Sequence, residues 1–237
     1  MGEIKSFGVM TSGASTAALL SLLPALEQLT GRAVVLLSRS VGVGTTYIPN
    51  RLKRGEVADI VIVADDLLRQ CIADGLVLAD SRVSLVHSLV GMAVRAGTAP
   101  PDIATIESFK HTLLAAASIA YSASVSGQYL TQELWPRLGI AEAVLPKARC
   151  IGNERIAAVV ARGEAEIGFE QVSELLPVPG IAHVTPLPPE AQKITLFSAA
   201  VATSSPDPDT ARKVLQFLRS PAAHPAIIAS GLRPAQA

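Results

Sequence analysis

Asp59 to Ala64 reads DIVIVA. One acid is followed by an unbroken apolar run. A strand that faces solvent on one side alternates apolar and polar. A run that is apolar on both faces belongs to a parallel strand covered by helices above and below. The chain alternates outward from this strand. Upstream, residues 4–10 read as a strand and 15–30 as a helix. Leu19, Leu22, Leu23, Leu26 and Leu29 recur at helical spacing, Pro24 falls inside the run, and Gly31 stops it. Residues 33–37 are a second strand. Gly42 to Thr46 (GVGTT) is a small-residue loop before a short helix that ends at Gly55. Downstream, a helix over 65–73 ends at Asp74-Gly75. This order predicts a doubly wound α/β layer.

A second alternation follows. It has helix 105–116, strand 118–121, helix 127–138, strand 147–151, helix 153–162 and strand 165–169. The stretch 177–189 is Pro-rich and reads as a loop. Two long extended runs flank this half, Val83 to Val94 (VSLVHSLVGMAV) and Lys193 to Ala202 (KITLFSAAVA). The first is too long for one ordinary strand. Both are expected to cross between two lobes, one of residues 1–83 with 197–237, the other of 84–196. A helix over 207–218, with Ser205 and Asp207 as caps, and a last helix over 221–230 return to the first lobe.

Composition narrows the function. The 237 residues are 49% hydrophobic and 17% charged, enough for a sizeable core. Lys+Arg and Asp+Glu are both 20, so the basic footprint of a nucleic-acid binder is missing. Aromatics at 4% argue against a base-stacking platform. No apolar run is long enough to span a bilayer, so no membrane insertion is expected. Cys71 and Cys150 form no C-x-x-C pattern; two buried thiols are expected, with a single Cys71–Cys150 bridge as the alternative. No export signal is read at the N-terminus. The chain is expected to be periplasmic if a leader was removed from it and cytoplasmic otherwise.

In open α/β sheets ligands bind beyond the carboxyl ends of strands, at helix N-termini. Those places hold Thr11, Ser12 and Gly13; Val43, Gly44 and Thr45; Ser122, Ser124 and Ser126; Asn153 and Arg155; and Glu170 and Gln171. Small hydroxyl residues let backbone N–H groups approach an anion. Any one such loop is more simply a set of helix caps. Their recurrence at equivalent turns points to one shared site. Gly42-Val43-Gly44 has no third glycine and no ribose-binding acid, so it is no dinucleotide fingerprint. Walker and G-x-S-x-G motifs are absent, and His87, His111, His183 and His224 lack metal-ligand spacing. No metal and no cofactor are expected. Glu170 follows Ile167-Gly168-Phe169 at a strand end. In a closed cleft its pKa would rise and it could move protons.

The pieces SFGVMTSGASTAALLSLLPALEQLTG, RGEVADIVIVADD, NERIAAVVARGEAEIGFEQVSELLPVPG and DTARKVLQFLRSP resemble the periplasmic substrate-binding proteins of the molybdate-binding type. The resemblance runs from about Lys5 to Ala222. It implies a two-lobed clamshell of the type II periplasmic binding protein kind, with two crossing strands as the hinge. It implies anion contacts at Thr11-Ser12 and Val43-Gly44-Thr45, near Ser124 and Asn153, and at the residue after Gly168-Phe169. That last residue, usually aromatic in the family, is Glu170 here. The departure favours an organic acid over molybdate. The branch also includes aconitate isomerase-like proteins.

Two functions follow. The first is a substrate-binding protein that holds a small anion, an organic carboxylate or oxyanion, in the interlobe cleft for an ABC-type transporter, whose permease is its partner. The second is a cofactor-independent isomerase of an unsaturated carboxylic acid, with Glu170 as its catalytic proton carrier.

Overall fold

The computed structural model describes residues 6–40, 42, 44–152 and 154–235. In chain order its strands are β1 (Ser6–Thr11), β2 (Ala33–Arg39), β3 (Ile60–Ala64), β4 (Val83–Arg95), β5 (Ile119–Ser122), β6 (Ala148–Ile151), β7 (Ile167–Gln171), β8 (Ile181–Pro186), β9 (Ile194–Val201) and β10 (Arg233–Pro234). Its helices are α1 (Thr16–Thr30), α2 (Ile48–Lys53), α3 (Asp65–Ala73), α4 (Ile106–Ala115), α5 (Val125–Gln128), α6 (Trp135–Arg137), α7 (Ala141–Val144), α8 (Ile156–Ala161), α9 (Val172–Leu175), α10 (Pro208–Arg219) and α11 (His224–Ala229). The chain divides into two compact units, Met1–Ser88 with Thr195–Ala237, and Leu89–Ile194. Among the described residues no helix is long and apolar enough to cross a membrane.

In the first unit β1 pairs in parallel with both β2 and β3, and β9 runs antiparallel beside β3. Ile60 to Val63 are all buried, as a strand apolar on both faces must be. One face packs on α2 and α3 through Met10, Ile48, Val61, Val63 and Leu68. Helix α1 ends where the sequence stops it. Gly31 takes a left-handed φ of 67° and its N–H bonds back to Glu27 O. Two-residue β10 pairs with the start of β4. That strand has no sequence signal beyond a register that tertiary contact supplies.

In the second unit β7 lies between β4 and β5, antiparallel to the first and parallel to the second, and β6 extends the sheet in parallel beyond β5. The core of one face is built on Phe109, Leu134, Trp135 and Phe169, with the Phe109 and Phe169 rings edge to face at 6.1 Å. Three readings change here. The stretch 177–189 is not all loop, because β8 pairs antiparallel with β4. An edge strand tolerates Pro and polar residues that a central strand excludes. The helix read over 127–138 begins at Val125 and widens into a π-helical segment at Tyr129–Leu134 between α5 and α6. Strand β7 runs on to Gln171, so Glu170 and Gln171 are ladder residues and not loop residues.

The cysteines also need correction. Both are free. Cys71 is buried, and its thiol is pushed up to about 11 chiefly by burial, but Cys150 is exposed on the two-sided edge of β6.

Candidate functional site

In the first unit the turn after β1 is tied down by its backbone. Ser12 N–H donates to Ile62 O at 2.9 Å. The Thr11 and Thr16 hydroxyls both donate to Ser12 O, at 3.0 and 3.3 Å. Gly13 opens a 3₁₀ turn, Gly13–Ser15, that leads into α1. The hydroxyls of Ser12 and Ser15 are different. The residues are 4% and 5% exposed, and neither Oγ has a partner. A buried hydroxyl left unpaired costs roughly 1–3 kcal/mol, so a group that binds here has two donors waiting for it. Ser15 is a residue that the sequence reading missed. Its signal was the repeat of Ser three positions after Ser12.

The second loop of this unit is more exposed. Gly44 sits at φ 53°, a left-handed value, and Thr45 is exposed in the 3₁₀ turn Gly44–Thr46. Their carbonyls are already used: Asn50 Nδ2 donates to Gly44 O at 2.8 Å and Arg54 Nη2 to Thr45 O at 2.7 Å. Val43 lies outside the described residues, as does Asn153.

In the second unit the turn after β5 gathers Ser122, Ser124 and Ser126. Their hydroxyls close a triangle with O–O distances of 2.7, 3.0 and 3.3 Å. The triangle depends on Gly127. A Cβ there would lie 1.7 Å from Ser122 O. Only glycine lets α5 start that close to the strand end.

Glu170 lies on the neighbouring strand. The β5–β7 ladder pairs Ala120 with Gly168 and Tyr121 with Phe169. One further step places Ser122 beside Glu170 on the face that carries α8. That face is close-packed: a Cβ on Gly168 would meet Val160 and Ile156 at 2.5 and 2.6 Å. Glu170 is 4% exposed and its Oε2 has no partner. Its carboxyl is raised well above its ordinary value, first by burial and then by the charge and hydrogen bond of Glu174. Arg155, half-buried at the start of α8, and the Ile156 N–H pull it the other way. Glu174 is itself pushed up to about 7 by burial, with the Glu170 hydrogen bond and Arg155 opposing. The residue is half-buried.

Glu174 is the second residue that sequence reading missed. The signal was a carboxyl four positions after Glu170, across the strand-to-helix junction. Gln171 points to the opposite face, is 1% exposed, and has neither amide atom paired; the Ser173 hydroxyl is likewise buried and unpaired. The structure therefore brings Ser122, Ser124 and Ser126 together. It also brings Arg155 to Glu170, and it places Thr11, Ser12 and Gly13 on one turn.

Comparisons with known proteins agree with this architecture. A family model described as bacterial extracellular solute-binding protein matches residues 7–233. The chain is 44% identical over 235 residues to a Pseudomonas sp protein named aconitate isomerase, covering 99% of this chain and 90% of that one. The periplasmic molybdate-binding protein of Azotobacter vinelandii superposes with a TM-score of 0.75 at 18% identity, over 97% of this chain and 100% of that one. The substrate-binding domain of a putative molybdenum ABC transporter from Clostridium difficile gives 0.69 at 17% identity, over 98% and 99%. At such identities the two structures establish the fold, that of the periplasmic binding proteins.

Proposed function

The chain belongs to the family of bacterial extracellular solute-binding proteins, and from that premise we propose that it binds an unsaturated polycarboxylic acid of the aconitate kind and isomerises it, with Glu170 as the proton carrier. The observation that carries this reading is the buried Glu170 carboxyl with an unpaired Oε2 and a suppressed ionisation. Ionised, such a group repels an anion. Held protonated, it can give a proton, and with a neighbour to take that proton it can also accept one. The relative named aconitate isomerase supports the same reading.

The chemistry is balanced within the ligand. The Glu170 carboxylate takes a proton from the CH₂ group next to the double bond. The C–H electron pair spreads over the three-carbon unit. Glu170 returns the proton to the far carbon, and the double bond moves one place or changes geometry. Nothing is oxidised or reduced. In the second unit Arg155 and the hydroxyls of Ser122, Ser124 and Ser126 are the groups proposed to hold carboxylates. In the first unit they are Ser12, Ser15 and the Thr11–Gly13 and Gly44–Thr45 backbones.

The test is incubation with cis- and trans-aconitate in deuterated water, followed by proton NMR. The expected result is appearance of the other isomer, which keeps the substrate's own proton where Glu170 returns it at once and gains deuterium where the carboxyl exchanges with solvent first. An acid that binds but neither isomerises nor exchanges overturns the reading. A second reading then applies: delivery of a small anion in the periplasm to the permease of an ABC-type transporter. Its supporting observation is that the donors of the first unit are hydroxyls and backbone groups, which do not titrate.

A further inference from the structure

Glu174 lies on α9, the short helix that follows β7 directly. Its distance in sequence from Glu170 is four residues, and the chain turns from strand to helix between them. The fold presses that helix down. Glu170 pairs across the ladder with Gly91 of β4, and a Cβ on Gly91 would stand 2.8 Å from Val172 Cγ2 and 3.3 Å from Leu175 Cδ1. With glycine there, α9 seats on the sheet and its first turn folds back over the strand end. The two carboxyls then reach each other and hydrogen-bond. Two carboxylates cannot do so without a proton between them.

We propose that Glu174 is the positioning residue of Glu170: the pair holds one proton between its two carboxyls, and passing that proton to Glu174 is what frees Glu170 to act as a base. The catalytic consequence rests on the isomerase reading above; the shared proton does not.

The surroundings favour one proton over none or two. From α8 the pair meets the Arg155 guanidinium and the Ile156 N–H, which favour one negative charge. From β5 it meets the neutral Ser122, and from β4 only Gly91. Strand β8, which packs against α9, carries His183, and that residue is exposed. Among the described residues one cation therefore faces two acids. One proton therefore serves the two carboxyls, and with it on Glu170 the Glu174 carboxylate accepts the hydrogen bond. In the step itself the Glu170 O–H breaks and a Glu174 O–H forms. Glu170 then takes the allylic proton, returns it at the far carbon, and recovers its own from Glu174. The sum is unchanged, and no proton need come from water.

The experiment has two arms. The first follows the carboxylic-acid carbonyl band of the ligand-free protein by infrared spectroscopy against pH. The wild type should lose its buried carboxyl protons in two separated steps. In Glu174→Gln the upper midpoint should fall by more than about one pH unit, since the like charge beside Glu170 is gone. Glu174→Asp should keep two steps. A single step in the wild type, or an unmoved midpoint in Glu174→Gln, overturns the shared proton whether or not the protein is an enzyme. The second arm is the pH profile of kcat/KM for aconitate isomerisation. The wild type should be bell-shaped, with an alkaline limb where the second charge repels the anionic substrate. Glu174→Gln should lose that limb, and Glu174→Asp should restore it. A profile merely scaled down with both limbs in place means a structural role and overturns the inference. If the wild type isomerises nothing while the infrared shift is seen, the isomerase reading has failed and the shared proton stands. Should Glu174→Gln not fold, the step count in the wild type and in Glu174→Asp decides.

Discussion

The turn after β1 offers Thr11, Ser12 and Ser15, and the turn after β5 offers Ser122, Ser124 and Ser126. The residue types are nearly the same and the states are opposite. In the first unit two hydroxyls are buried with no partner. In the second, three hydroxyls satisfy one another. The second unit also adds ionisable groups, Glu170, Glu174 and Arg155, on adjoining elements. The first unit therefore offers a set of fixed dipoles. The second carries charge that can change. A ligand held by dipoles alone is insensitive to pH. One held beside a carboxyl pair is not.

The largest break in this contrast is chemical. Glu170→Gln should lower isomerisation by about 10²- to 10⁴-fold, the usual contribution of a general acid–base group, with binding of the acid retained. Steady-state kinetics beside calorimetric binding checks this. Loss of both together would mean that Glu170 only shapes the site.

Next come two glycines. Gly127→Ala forces a Cβ against the backbone of Ser122. Its cost should reach or exceed the upper end of the roughly 1–3 kcal/mol typical of overpacking, because backbone cannot move aside as a side-chain tip can. Gly44→Ala meets nothing within 4 Å and has only its left-handed φ of 53° to bear, so about 1–2 kcal/mol is expected. Denaturant midpoints of the two variants measure the difference. Equal midpoints would mean that the serine triangle is not held by close approach.

The carboxyl pair makes a pH statement as well. Both folded-state values lie above the ordinary 4.5, so the folded chain binds more protons than the unfolded one. The stability from Glu174 is whole below about 4.5. It is lost as pH rises through about 7. Melting temperature should decline across that window, and the decline should shrink in Glu174→Gln. A flat profile in the wild type would contradict the burial of the pair.

The smallest effect has an unusual sign. Ser12→Ala removes a buried hydroxyl with no partner, so the ligand-free protein should be as stable or slightly more stable. If that hydroxyl serves a guest, affinity should fall several-fold in the same variant, a loss of about 1 kcal/mol. Lower stability with unchanged affinity would make the turn structural.

The sequence by itself determined the alternation of strands and helices. The apolar run Ile60–Val63, the leucine spacing of α1 and its stop at Gly31 are local signals, and each acts within a few residues. It also marked Glu170 as out of place after Gly168-Phe169. Tertiary structure decided what local patterns cannot carry. Strand β8 exists because β4 has a free edge, and its own residues are too polar and Pro-rich to announce it. Glu170 is buried because α8 and α9 close over it, and both approach that closely only where Gly168 and Gly91 have no side chain. The ionisation of Glu170 follows from that burial and from a second acid folded back onto it. Spacing placed Glu174 four residues away. Only the turn from β7 into α9, fixed by packing on a distant strand, made the two carboxyls one group.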